Sequence, residues 1–244
     1  GAPRALRRPR GPVAVHSGVG IVVACTGHAI VVSASRFATE PRLSSLGFEE
    51  QAMGSSTTEF TGTTTEIPGL LVFDVTRVED ARGWFQEKFH REKLVEAGLP
   101  AEFDVVQTSV VFNEQGSTRG FHAEPWDKYV SIIDGMAFAA YVDLRAGETF
   151  GTVVTIELRP DNAVFVPAGV ANSYQCMSAL HYLYSVNRHW TPDAYERYTF
   201  VNLADPVLAV NWPIPLSDAI LSDKDQLHPL LRDVEPMSVR SEVP

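Results

Sequence analysis

An all-β sandwich or barrel is the fold class that the sequence predicts. Three observations carry it: apolar runs dense in β-branched and aromatic residues recur through residues 66–232, turn residues separate them, and helical signal is nearly absent. The chain has 244 residues, 45% of them apolar, with a mean hydropathy of −0.03, so one sizeable core is expected.

Residues 1–52 hold six Arg and three acidic residues, a net +3, against −13 for the remainder. The opening Arg4, Arg7, Arg8 and Arg10, followed by VGIVVACTGHAIVVSAS, superficially resemble a secretory leader. His16, Ser17, Thr26 and His28 interrupt the apolar run, which stays short of the roughly 20 residues that span a bilayer. This segment is expected to be an extension outside the fold, with Met53 as the natural start. Eight Ser or Thr among the twelve residues 54–65 predict that 53–65 form a flexible arm. The folded domain is expected over 66–232, with 233–244 as a C-terminal tail.

Within that domain, strands are expected at LLVFDV (70–75), DVVQTSVVF (104–112), KYVSII (128–133), MAFAAYVDL (136–144), GTVVTIEL (151–158), AVFVPA (163–168) and HYLYSV (181–186). Asp134-Gly135 and Pro160-Asp161-Asn162 supply the turns between neighbouring runs. A short helix is expected from Arg91 to Ala97, stopped by Gly98.

Composition excludes some functions. Twenty basic residues against thirty acidic ones, with a pI near 5.1, offer nothing to nucleic acid or to an anionic membrane surface. Cys25 and Cys176 form neither a zinc motif nor a disulfide framework, which suits a reducing cytoplasm.

The chemistry concentrates in Arg119-Gly-Phe-His122-Ala-Glu124, expected between two strands, where alternation puts His122 and Glu124 on one face. A second turn, Pro167-Ala-Gly169-Val-Ala-Asn172, follows. Together they resemble the two motifs of the cupin jelly roll, a double-stranded β-helix, here with short peripheral helices. Metal-binding cupins place His-x-His and Glu in the first motif and a further His in the second. This chain has one His and Asn172, and an amide substitutes poorly for imidazole at a transition metal, so no metal is expected.

A closer resemblance covers residues 66–232. IPGLLVFD (67–74), ARGWFQE (81–87), Val106-Gln107, RGFH (119–122), Lys128, VDLR (142–145), TFG (149–151), VPAG (166–169), YLY (182–184), Asp205-Pro206, NWP (211–213) and LSDKD (221–225) occur in the order found in the dTDP-4-dehydrorhamnose 3,5-epimerase family. The sequence resembles that family of metal-free jelly-roll enzymes of deoxysugar biosynthesis. The resemblance implies epimerisation of a nucleotide-linked 4-keto-6-deoxyhexose, dTDP-linked in the family, at C3, C5 or both, without cofactor.

Such a reaction needs a base on one face, a stabiliser for the enolate oxygen and an acid on the other face. The resemblance makes His122 the base and Asp225 its dyad partner. Lys128 stands near the oxyanion and Tyr184 is the acid. Taken singly, each has a plainer reading: a hydrogen-bonded strand His, a helix-capping Asp, an edge Lys, a core Tyr. Arg119 and Arg82 suit phosphate oxygens. In the family the Arg-Gly-aromatic stretch comes from the partner subunit, implying a homodimer in which Arg82, Glu87 and Trp84 complete a neighbour's site. Gln107, Glu124 and Trp126 are expected to line the sugar pocket. The departures are Asn172 for a common His, Ser109 for a common Asn, and Trp190 for a second pocket Tyr, which is expected to bias the enzyme towards one carbon. A keto-isomerase on the same scaffold and a non-catalytic sugar-nucleotide-binding cupin are the alternatives.

Overall fold

The computed structural model describes residues 57–238, so the expectations for residues 1–52, 53–56 and 239–244 lie outside the described residues. The strands are β1 (Phe60–Thr64), β2 (Leu71–Val75), β3 (Val78–Asp80), β4 (Gly83–Phe85), β5 (Gln107–Asn113), β6 (Thr118–Ala123), β7 (Lys128–Ile132), β8 (Ala137–Asp143), β9 (Val153–Leu158), β10 (Asn162–Val166), β11 (Val170–Cys176), β12 (Leu180–Val186) and β13 (Thr199–Phe200). Two short helices, α1 (Arg91–Glu96) and α2 (Asp223–Gln226), join them, with 3-10 turns at Pro192–Arg197 and Leu231–Asp233. The prediction of a β sandwich with short peripheral helices holds. None of the helices among the described residues is long and apolar enough to cross a membrane.

Two antiparallel sheets face each other. One runs β1-β2-β10-β7-β12-β5 and the other β13-β6-β11-β8-β9, while β3 and β4 form a separate hairpin. Their inner faces share a core in which Val130, Ile132, Val164, Val166 and Tyr182 from the first sheet meet Ala139, Tyr141, Leu158, Val170 and Tyr174 from the second. Both outer faces carry apolar layers too. On the first, Phe73, Tyr129 and Phe165 pack against Leu94, Leu99 and Phe103 around α1. On the second, Phe121, Val142 and Ala171 are covered by Val201, Leu203, Leu208, Leu231 and Val234. β7, β8 and β10 are buried almost throughout, on both faces, which explains why their apolar residues do not simply alternate with polar ones.

The helix α1 begins where expected and stops at Gly98, whose φ of +108° suits a residue without a Cβ. Gly98 N–H donates to Val95 O and Leu99 N–H to Leu94 O, closing the end with an apolar Leu94–Leu99 contact.

Four expectations are corrected. Within the 53–65 segment, Phe60–Thr64 forms β1 along β2 rather than a flexible arm, because threonine is β-branched and an exposed edge strand tolerates polar side chains. His122 lies within β6 itself rather than between strands, and Asn172 lies within β11 rather than in a turn. The expected tail is docked at its start: Met237 N–H donates to Leu144 O, and Val234 is buried.

Candidate active site

The site lies in one end of the sandwich, in a cavity of about 190 Å³ between the two sheets. That is below the roughly 300 Å³ at which drug-sized pockets begin, so it suits one small ring with the rest of a larger ligand outside. Of the residues expected from sequence, Gln107, Arg119, His122, Glu124, Trp126, Lys128, Asn172, Tyr184 and Trp190 line it. Asp225 stands behind His122.

A bulge in β6 decides which side chains reach the cavity. Asn172 pairs with His122 but Tyr174 pairs with Arg119, so three steps along β6 oppose two along β11. Strict alternation would send Arg119 and His122 to opposite faces. The extra residue lets both line one cavity. Gly120 makes this possible, with φ +117° and the site of a Cβ only 2.7 Å from Asn172 O and Ser173 Cβ. Arg119 is oriented further by its Nε, which donates to Asn113 Oδ1 at 2.7 Å.

His122 Nε2 lies 3.1 Å from Asp225 Oδ1, and the Asp225 side chain is only 8% exposed. The chain supplies that carboxylate from α2, whose cap is Ser222: the Asp225 backbone N–H donates to Ser222 Oγ at 3.1 Å, which fixes the start of α2 and with it the carboxylate beside His122. Burial pushes the Asp225 carboxyl upward, but the hydrogen bond and charge of His122, the Ser222 hydroxyl and His228 outweigh it and hold it below the usual carboxylate value. An ionised carboxylate only accepts, so Nε2 carries the proton and Nδ1 is the basic atom. Phe200 sits edge-on to the His122 ring at 5.4 Å and stacks on His228 at 4.6 Å, clamping the dyad.

Lys128 reaches across from β7. Its Nζ donates to Glu124 at 2.5 Å and to Asn172 Oδ1 at 3.2 Å, and lies 5.4 Å from the centre of the Tyr184 ring. Two of three N–H donors are thereby used on buried partners, leaving one for a ligand oxygen. Tyr184 comes from β12 in the first sheet and His122 from β6 in the second, so acid and base candidates face the cavity from opposite walls.

Two expected residues lie apart from this cavity. Arg82 is 82% exposed and pairs with Asp80 at 2.6 Å, and Glu87 pairs with Lys93 at 2.5 Å. Both line a separate hollow beside the β3–β4 hairpin, with Trp84 and Phe85. Sequence reasoning missed Tyr198, which lines the main cavity, and His228, 4.0 Å from Asp225. His228 lies three residues beyond Asp225, a helical spacing that could have flagged it. Burial, then the charge of His122, lowers the His228 imidazole below its usual value. The donor atoms of His122, Asp225 and His228 lie within 4.8 Å of one another, so a cation could be held here only in competition with the dyad hydrogen bond.

The remaining cysteine among the described residues, Cys176, is buried, and burial pushes its thiol up to about 11.

Comparison with known proteins gives a consistent picture. The model of the family described as dTDP-4-dehydrorhamnose 3,5-epimerase matches residues 64–233. A Streptococcus pyogenes protein named as an RmlC homolog is 47% identical over 177 residues, covering 70% of this chain and 89% of that protein. A dTDP-4-dehydrorhamnose 3,5-epimerase of Pseudomonas aeruginosa is 34% identical over 169 residues, covering 66% and 90%. The structure of RmlC from Streptococcus suis in complex with dTDP-D-xylose superposes with a TM-score of 0.70 at 42% identity, covering 73% of this chain and 95% of that one.

Proposed function

The chain belongs to the dTDP-4-dehydrorhamnose 3,5-epimerase family, and from that premise we propose that it epimerises a dTDP-linked 4-keto-6-deoxyhexose at C3, C5 or both in deoxysugar biosynthesis. One observation carries the reading: a carboxylate-held imidazole on one sheet faces a phenol on the other across a cavity of sugar-ring size.

The carbonyl of a 4-keto sugar acidifies the C–H bonds on both flanking carbons. His122 Nδ1 takes one of these protons while Asp225 stabilises the imidazolium that forms. The electron pair moves onto the carbonyl oxygen, where the remaining N–H of Lys128, a side chain only 8% exposed, donates to it. Tyr184 then returns a proton to the opposite face, inverting the carbon. Arg119, at the cavity wall and half-fixed by Asn113, suits the diphosphate that extends outward. No step calls on a metal or a nicotinamide. The direct check is NMR of the product formed from dTDP-4-keto-6-deoxyglucose. An inverted C3 or C5 with the carbonyl still at C4 is expected; a carbonyl moved to C3 selects keto-isomerisation, and unchanged substrate counts against catalysis.

The assembly we assign is a homodimer acting in the cytoplasm. The β3–β4 hairpin supports it: Trp84 and Phe85 are 53% and 61% exposed, and Arg82 lies outside its own chain's main cavity, beside the hairpin. Exposed Val110 and Phe112 on the edge strand β5 add an apolar face. If Arg82 and Glu87 complete a neighbour's site, Arg82→Ala and His122→Ala chains should each be inactive alone. Refolded together they should regain activity, because one site of each mixed dimer is intact. Mixtures as inactive as the separate variants would place Arg82 outside the shared site.

A further inference from the structure

Proton transfer as described leaves His228 without a task. It follows the end of α2 by two residues, and its ring stacks on Phe200 with centres 4.6 Å apart, which holds it beside the dyad. Its side chain is 9% exposed, and Nε2 lies 4.0 Å from Asp225 Oδ1, beyond hydrogen-bond reach. The Gly120 backbone favours a proton on this ring, yet Nδ1 is buried and makes no hydrogen bond of good geometry among the described residues. A buried imidazole so poorly bonded is costly, and a bound ion is one of the few partners that resolves it.

Its neighbours supply the other donors. His122 Nε2 lies 3.1 Å from the same Asp225 oxygen, and the donor atoms of the three side chains fall within 4.8 Å of one another. An ion held tetrahedrally at about 2.0–2.2 Å spaces its donors by about 3.3–3.6 Å, so side-chain shifts of about 1 Å close the site. Two imidazoles and one carboxylate suit zinc, with a fourth position left for water. His122 lines the cavity and keeps 27% of its side chain exposed, which offers an entry. The cupin metal position is a different place. There Lys128 Nζ bonds both Glu124 and Asn172, and its charge repels a cation.

We propose that His122, Asp225 and His228 form an inhibitory site for a divalent ion of the zinc class, which competes with the dyad rather than serving it. With the ion on Nε2, the His122 proton must sit on Nδ1, the atom assigned as base, and the carboxylate turns to the metal. The basic lone pair is then lost. Binding of the ion stands apart from the epimerase reading, and only the inhibition rests on it.

The full chain, stripped with EDTA, should be titrated with Zn²⁺ by calorimetry while deuterium exchange at C3 and C5 is followed over the same range. Changing even a residue behind a metal ligand costs about 10–100-fold in affinity, so His228→Gln should weaken the tightest Zn²⁺ event by at least about tenfold. In wild type, exchange at both carbons should fall together as that ion binds and return with EDTA. Each rate is divided by the same variant's zinc-free rate, so any effect of His228→Gln on turnover itself cancels. Asp225→Asn, read by calorimetry alone, should lose the same event. His181→Gln alters an exposed pair with Asp134 and should keep wild-type binding and inhibition. Equal zinc sensitivity in wild type and His228→Gln, zinc bound with exchange untouched, or equal inhibition by Mg²⁺, which takes oxygen ligands, overturns the site. Wild type that exchanges neither carbon without zinc would instead strike the epimerase reading, and calorimetry would still decide the site.

Discussion

His122→Ala should abolish solvent exchange at both C3 and C5, with turnover falling by about 10²–10⁴-fold. The imidazole is the basic group that the structure holds in a fixed tautomer against the cavity, through its 3.1 Å bond to Asp225. Both carbons flank one carbonyl, and a single base beside it can reach each in turn if the ring shifts slightly. Binding should survive better than turnover, since Arg119 and the cavity walls remain. Isothermal calorimetry with dTDP alongside the exchange assay separates the two. A variant that still exchanges near the wild-type rate would remove His122 from the role of base.

Gly120→Ala should unfold or strongly destabilise the domain, with a loss of about 2–6 kcal/mol. The backbone at φ +117° disfavours any Cβ, at a cost of roughly 1–3 kcal/mol. The added carbon would also meet Asn172 O and Ser173 Cα within 2.8 Å, and overpacking of this kind typically adds about 1–3 kcal/mol. The opposing atoms include the backbone of β11, which cannot step aside without moving Asn172 and, through it, Lys128. Gly116→Ala is the control: φ is +84° there with nothing within 4 Å of the new carbon, so only the backbone cost applies. Urea unfolding should rank Gly120→Ala well below Gly116→Ala. Equal midpoints would mean that the β6 bulge tolerates a side chain.

Much of the fold was legible in sequence because β-branched runs buried on both faces leave an unmistakable apolar signature, as in β7, β8 and β10. Strand β1 was hidden by its polarity, since only Phe60 hints at burial. β11 was hidden differently: VANSYQC buries Asn172, Ser173 and Gln175, whose hydrogen bonds are satisfied by distant groups that no local pattern reveals. For the site, the RGFH and LSDKD motifs pointed to His122 and Asp225, which lie 103 residues apart in sequence and meet in space. The bulge that turns Arg119 toward the same cavity leaves no periodic trace, because it interrupts the period. The partnership of Lys128 with Glu124 was likewise unreadable, since a loop decides how near they come. Tyr198 carries no motif at all; only the course of the loop from Val186 to Thr199 brings it to the cavity.

Enolisation at the carbons beside the carbonyl is tested most directly by single-turnover NMR of the wild-type chain with dTDP-4-keto-6-deoxyglucose in deuterated buffer. Every inverted carbon should carry deuterium, because the proton lost to His122 and the proton returned from the opposite wall come from different pools. C2, which is not adjacent to the carbonyl, should keep its protium. Inversion with protium retained at C3 and C5 would contradict a two-sided acid–base mechanism.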